Sequence, residues 1–172
     1  FAKEEPAKLL ETVNIVGDSA SVNMNSYYYL AVENEEKNTP NSRTLAREYL
    51  RKAIRLEPEN IFYRLKLASL LETSFSTTAE DEYRFILSID KNNIDALLGL
   101  ARIVEKKFYE WLNSAKLFEE NIVIMFNDDA MEDFYSAEMY YKKILIIDSL
   151  NYLANTKLAL LYEAVDNNDE SF

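Results

Sequence analysis

Alanine recurs in this chain at a fixed register, and each copy brings the same kinds of companion. Ala46, Leu50, Ala53 and Pro58 stand in one stretch. Ala79, Tyr83, Ile86 and Lys91 hold the same offsets in a second, and Ala137, Tyr141, Ile144 and Ser149 hold them in a third. The register continues past the following turn, where Leu67-Ala68 with Leu71, Leu100-Ala101 with Val104, and Leu158-Ala159 with Tyr162 keep step. A unit that repeats in this way cannot bury its apolar face alone, so its copies must stack. The ladder therefore constrains the chain to a repeat array, an architecture that presents binding surfaces.

Periodicity makes the repeating unit helical. Only 2 Gly and 3 Pro occur among 172 residues, which points to long helices with short joints rather than a turn-rich β-fold. Helices are expected over 21–34, 44–56, 61–73, 79–89, 94–105, 129–148 and 151–165. In 44–56, Leu45, Tyr49, Ala53 and Leu56 share one stripe, and Thr39-Pro40-Asn41-Ser42 reads as a turn before it. Asn60 can cap the helix that follows. Residues 74–78 form a polar joint and 90–93 a turn. A short helix is expected over 6–13, within an N-terminal segment of residues 1–20. The polar, acidic tail 166–172 is expected to fray.

The period breaks once. Copies are 33 positions apart from Ala46 to Ala79, but 58 apart from Ala79 to Ala137. The excess places an insertion at about 105–136, within a repeat domain spanning 21–165. The inserted residues Phe108, Trp111, Leu112, Ala115, Phe118, Ile122 and Met125 also fall at helical spacing. A single helix over 94–126 would run about 50 Å at 1.5 Å per residue. The favoured expectation is a break at Asn113-Ser114 with Ser114 as cap, because two very unequal antiparallel helices would leave apolar surface bare.

Charge and composition narrow the function. A net charge of −11 and a pI of about 4.6 weigh against nucleic acid and against anionic membrane surfaces, both of which call for a dense basic patch. No run approaches the length of apolar sequence that a membrane helix needs. The chain has no Cys and no His, which removes disulfides, zinc-finger sites and the common nucleophile–base pairs. Gly17-Asp18-Ser19 resembles the nucleophile block of a lipase family that also needs a His, so a turn is the better reading. Asp128, Asp129, Glu132 and Asp133 could attract a divalent cation, yet acidic residues also belong in a helix's first turn, and no metal or cofactor is expected. The chain begins at Phe1, which suggests removed upstream sequence and leaves the compartment open between cytoplasm and periplasm. Its abundance of Asn, Ile, Lys and Tyr points to a bacterial, AT-rich genome.

At these offsets the chain resembles the tetratricopeptide repeat (TPR) family, whose unit is a 34-residue antiparallel helix pair. Ala46, Ala79 and Ala137 match one small position of that pattern, and Ala68, Ala101 and Ala159 the other. Leu50, Tyr83 and Tyr141 match its large position. The helix-ending Pro survives only as Pro58, and Arg64, Leu97 and Asn155 replace the family's first-helix aromatic. The resemblance implies an all-α TPR-like α-solenoid with a helical insertion in the third repeat. It also implies a groove lined by the first helix of each pair. The implied groove residues are Phe62, Leu65, Lys66 and Ser69; Asp95, Leu98, Gly99 and Arg102; and Leu153, Thr156, Lys157 and Leu160. A chaperone-tail clamp is not expected, since its Lys and Asn set is not reproduced.

The reading that results is a non-enzymatic adaptor that binds a partner protein segment in its groove. Lys66, Arg102 and Lys157 would meet acidic groups, with Phe62, Leu65 and Leu98 contacting apolar side chains. Reversing Lys66 and Arg102 to Glu should then weaken capture without unfolding the protein. Trp111 and Phe118 could form a second interface if the insertion exposes them. The alternative is a self-associating scaffold that uses the insertion and the Tyr-rich faces.

Overall fold

The computed structural model describes residues 24–72, 74, 76–116 and 128–169. Among these residues every regular element is an α-helix, and there are seven. The expected helix at 6–13 and part of the acidic tail lie outside the described residues. The chain divides into two compact units, Phe1–Leu70 and Leu71–Phe172.

In the first unit, α1 (Met24–Glu36) and α2 (Pro40–Leu56) form an antiparallel pair, followed by α3 (Ile61–Leu71). Helix α2 starts four residues earlier than its apolar stripe suggested. Thr39 is its N-cap: the Ser42 amide donates to Thr39 Oγ1 (3.1 Å), and the Thr39 amide donates to Ser42 Oγ (2.9 Å). Pro40 takes the first helical position, where its missing N–H leaves no bond unmade. The residues that looked like a turn are thus a reciprocal cap. Ala46, Leu50 and Ala53 are fully buried. Of the three consecutive tyrosines of α1, Tyr27 stacks on Tyr49 (6.3 Å between centroids) and Tyr28 on Tyr63 (5.7 Å), while Tyr29 is exposed.

The second unit holds α4 (Ser76–Ile89), α5 (Ile94–Lys116), α6 (Asp128–Ile147) and α7 (Tyr152–Asp169). Its core joins Leu97, Ala101, Val104, Phe108 and Leu112 of α5 to Phe134, Ala137, Tyr141 and Ile144 of α6 and to Ala154 and Leu161 of α7. The ladder is the core: Ala79, Ala137, Ile86 and Ile144 are fully buried, and each large aliphatic so placed contributes roughly 1.5–3 kcal/mol.

The insertion corrects the expected break. Helix α5 runs unbroken through Asn113-Ser114 to Lys116, and Ser114 Oγ donates back to the Glu110 carbonyl (2.8 Å) instead of capping a new helix. The extra residues lengthen both members of one pair. Helix α5 has 23 residues and α6 has 20, so the feared mismatch in length does not arise. Phe108 meets Phe134 at 5.6 Å across the added turns. At the far end α7 continues to Asp169, past the expected 165.

Three joints share one construction. Glu57, Asp90 and Asp148 each end a helix, their amides bonding the carbonyls of Ala53, Ile86 and Ile144. Three residues on, the amides of Asn60, Asn93 and Asn151 bond back to those acids' carbonyls (3.1–3.2 Å). Each Asn Oδ1 then caps the next helix, accepting from the amides of Tyr63, Ala96 and Ala154. The acid–x–x–Asn spacing recurs at the ladder's own 33 and 58 offsets, so the turns carry the repeat as fully as the alanines do.

Candidate functional site

A cleft of about 560 Å³ opens within the second unit. Arg102, Ile103, Lys106, Lys107, Tyr109 and Lys157 line it, together with Glu72, Glu105 and Glu110. Its four cations slightly outnumber its three carboxylates, whereas the chain as a whole carries a net charge of −11.

Two repeated side-chain networks build its floor. Glu72 follows α3 and belongs to the second unit. It accepts the Tyr83 hydroxyl and two bonds from Arg102, from Nε (3.2 Å) and from a terminal nitrogen (2.6 Å). Glu105 of α5 accepts the Tyr141 hydroxyl (2.7 Å) and Lys157 Nζ (3.0 Å). Burial pushes both phenols far above the usual tyrosine range, and the neighbouring carboxylates push the same way. Both tyrosines therefore stay protonated and act as donors. The hydrogen bonds that Arg102 donates to Glu72 raise its guanidinium further, so its charge is fixed. Glu105 is nearly sealed from solvent and is tolerated there because both its oxygens are bonded.

Tyr83 also needs room. A Cβ at Gly99 would lie 2.3 Å from the Tyr83 ring, so this glycine permits the close approach of α4 to α5. Tyr109 closes the cleft's other side by donating to the Leu160 carbonyl on α7 (3.2 Å). Burial, then the charges of Glu105 and Glu163, raise its phenol as well.

The residues singled out from sequence fall into different surroundings. Arg102 and Lys157 line the cleft. In the first unit Lys66 pairs with Glu35 (2.6 Å), Ser69 Oγ bonds the Lys66 carbonyl (2.9 Å), and exposed Phe62 rests on Tyr28. Leu65 and Thr156 are half-buried, and Asp95, Leu153 and Leu160 are exposed. Leu98 and Trp111 pack onto the core of the second unit, and Gly99 is buried beneath Tyr83. Phe118 lies outside the described residues. All three expected partner-facing cations, Lys66, Arg102 and Lys157, already hold carboxylates of their own chain.

Those carboxylates escaped the sequence reading, as did Lys106 and Lys107. The signal for Glu72 and Glu105 was nonetheless present. Glu72, Glu105 and Glu163 stand 33 and 58 apart, on the same ladder as the alanines. At the start of α6, Asp128 and Asp129 occupy the first turn, and no three carboxylates among the described residues converge in a metal-holding cluster. None of the described helices is long and apolar enough to cross a membrane.

No protein-family profile matches the chain, and no curated protein sequence does. Solved structures do match. A Bacteroides ovatus protein, crystallised as a candidate protein-binding protein, superposes on 97% of this chain and 85% of its own with a TM-score of 0.68 and 12% identity. The MamA protein covers 86% of this chain and 85% of its own, with a TM-score of 0.46 and 16% identity. The second superposition is too loose to bear on the fold. The fold class is all-α and TPR-like, built of antiparallel helix pairs, as the ladder implied.

Proposed function

We propose that this chain is a TPR-family protein-binding module, a non-enzymatic adaptor that captures an acidic segment of a partner protein. The observation that carries the reading is this cleft, where cations outnumber carboxylates in an otherwise acidic chain. Arg102 and Lys157 are largely spent on Glu72 and Glu105. Lys106 and Lys107 are the cleft's freer cations: both are exposed, and their own ion pairs are long, at 3.6 Å to Glu110 and 3.9 Å to Glu80. A partner carboxylate would find its charge partner there and apolar contact on the half-buried Tyr109. Leu153, Thr156 and Leu160 on α7 remain candidates in the second unit. Phe62, Leu65, Lys66 and Ser69 form the first unit's own candidate face, and Asp95 and Leu98 remain candidates on α5. The Bacteroides protein of similar fold, itself a candidate protein-binding protein, supports a binding role.

The test is capture of partners from a lysate of the source organism on the immobilised chain, followed by mass spectrometry. The double variant Lys106→Glu/Lys107→Glu should lose the captured partner while keeping its helical circular-dichroism spectrum. Capture that is indifferent to both reversals overturns the cleft as the binding face.

A further inference from the structure

Helix α6 carries an exposed stripe whose character differs from that of its repeat-equivalents. Asp128, Glu132, Tyr135, Met139, Lys142 and Ile146 follow one another at alternating intervals of four and three, all exposed, on one face of the helix. That is the 3.5-residue spacing that keeps a seam facing another helix over many turns. Tyr135, Met139 and Ile146 are 57%, 54% and 84% exposed, and Leu150 in the following turn is 88% exposed. At the same register α2 presents Thr44, Glu48, Arg51 and Arg55, and α4 presents Thr77, Asp81, Arg84 and Ser88, all solvated. The large apolar side chains on this face, Tyr135, Met139 and Ile146, are therefore a property of the third copy and not of the repeat.

Along its first half the stripe borders an open depression of about 500 Å³, lined by Asp128, Met131, Glu132, Tyr135, Ser136 and Met139. Charge is graded along it, acidic at Asp128 and Glu132 and basic at Lys142, an exposed ammonium that also holds Glu138 of its own helix (2.7 Å). We infer that α6 pairs antiparallel with α6 of a second copy of this chain. A two-fold axis between Tyr135 and Met139, at the height of Ala137 but on the exposed side of the helix, sets Glu132 of one copy against Lys142 of the other, and Tyr135 against Met139, each twice. It also brings Ile146 of each copy to the Asp128 end of the other's depression. Parallel pairing would oppose Glu132 to Glu132 and Lys142 to Lys142, so charge selects the antiparallel arrangement. The seam spans about 27 Å at 1.5 Å per residue, which fits a modest, concentration-dependent dimer. This inference does not rest on the cleft, which lies on other residues of the unit.

Sedimentation of the whole chain over a range of concentrations tests it. A monomer–dimer equilibrium is expected, with Met139→Glu weakening it by about 100-fold or more. The chain has no cysteine, so cross-linking adds a readout of register. A Tyr135→Cys chain mixed with a Met139→Cys chain should oxidise to a disulfide-linked dimer faster than either alone. The equivalent pair on α2, Thr44→Cys with Glu48→Cys, should not. A chain that stays monomeric throughout overturns the inference and leaves the stripe to a foreign helix. So does a dimer that Met139→Glu does not weaken, or a mixed cross-link no faster than the α2 control.

Discussion

Glu105 shows how one residue can be costly and still specify its surroundings. A buried carboxylate is tolerated only when its bonds are complete, and here Tyr141 and Lys157 complete them from two other helices. Tyr141→Phe removes one bond and leaves the charge behind, so it should cost about 1–3 kcal/mol in chemical denaturation. Tyr83→Phe should cost less, because Arg102 still holds Glu72 through two nitrogens. Gly99→Ala should cost about 1–3 kcal/mol through overpacking against the Tyr83 ring. Adding Tyr83→Leu should recover part of that loss. A Gly99→Ala chain as stable as the parent would mean that the ring can step aside. The pairing of Arg102 also revises an expectation from sequence: Arg102→Glu would set two carboxylates face to face, so it would unsettle the fold as well as any binding.

At the level of the helices, α6 holds two carboxylates that respond to pH in opposite senses. Burial raises Asp133 above its ordinary range, aided by Glu132, Asp129 and Glu80 and opposed by Lys107. Its ionised form therefore costs stability above its folded pKa, and that cost disappears below the unfolded value. Glu138 is lowered by its bonds from Lys142 and the Tyr162 hydroxyl. It adds stability above its unfolded pKa and loses that contribution as pH falls through its folded value. Asp133→Asn should raise the melting temperature at neutral pH and Glu138→Gln should lower it, with both differences vanishing in acid. Thermal scans at several pH values check the pair; a shift of like sign in both variants contradicts the assignment. The seven helices were largely legible in sequence because the buried alanines and their large companions fix period and phase together. What sequence hid were non-apolar signals. The cap at Thr39 and Ser42 looked like a turn, since its polar residues and Pro40 suit either. Ser114 looked like a cap because only geometry tells i−4 back-bonding from capping. The cleft's Lys106 and Lys107 were invisible because exposed lysines on a helix carry no periodic mark.

For the molecule as a whole, charge is the dominant long-range feature. A net charge of −11 repels itself in the compact state, whereas ion pairs such as Lys66–Glu35 and Lys157–Glu105 are attractive. Screening weakens both, but close, partly shielded pairs lose less than repulsion spread over the surface. Adding salt should therefore raise the melting temperature, and a fall would show that the internal pairs dominate. The three acid–x–x–Asn joints have a further consequence. Each stops one helix and starts the next with groups found inside four residues, asking nothing of its neighbours. A gene built this way can grow by copying whole segments, because every cut between joints already carries its own punctuation. The long third copy suggests that selection then worked on what lies between the marks.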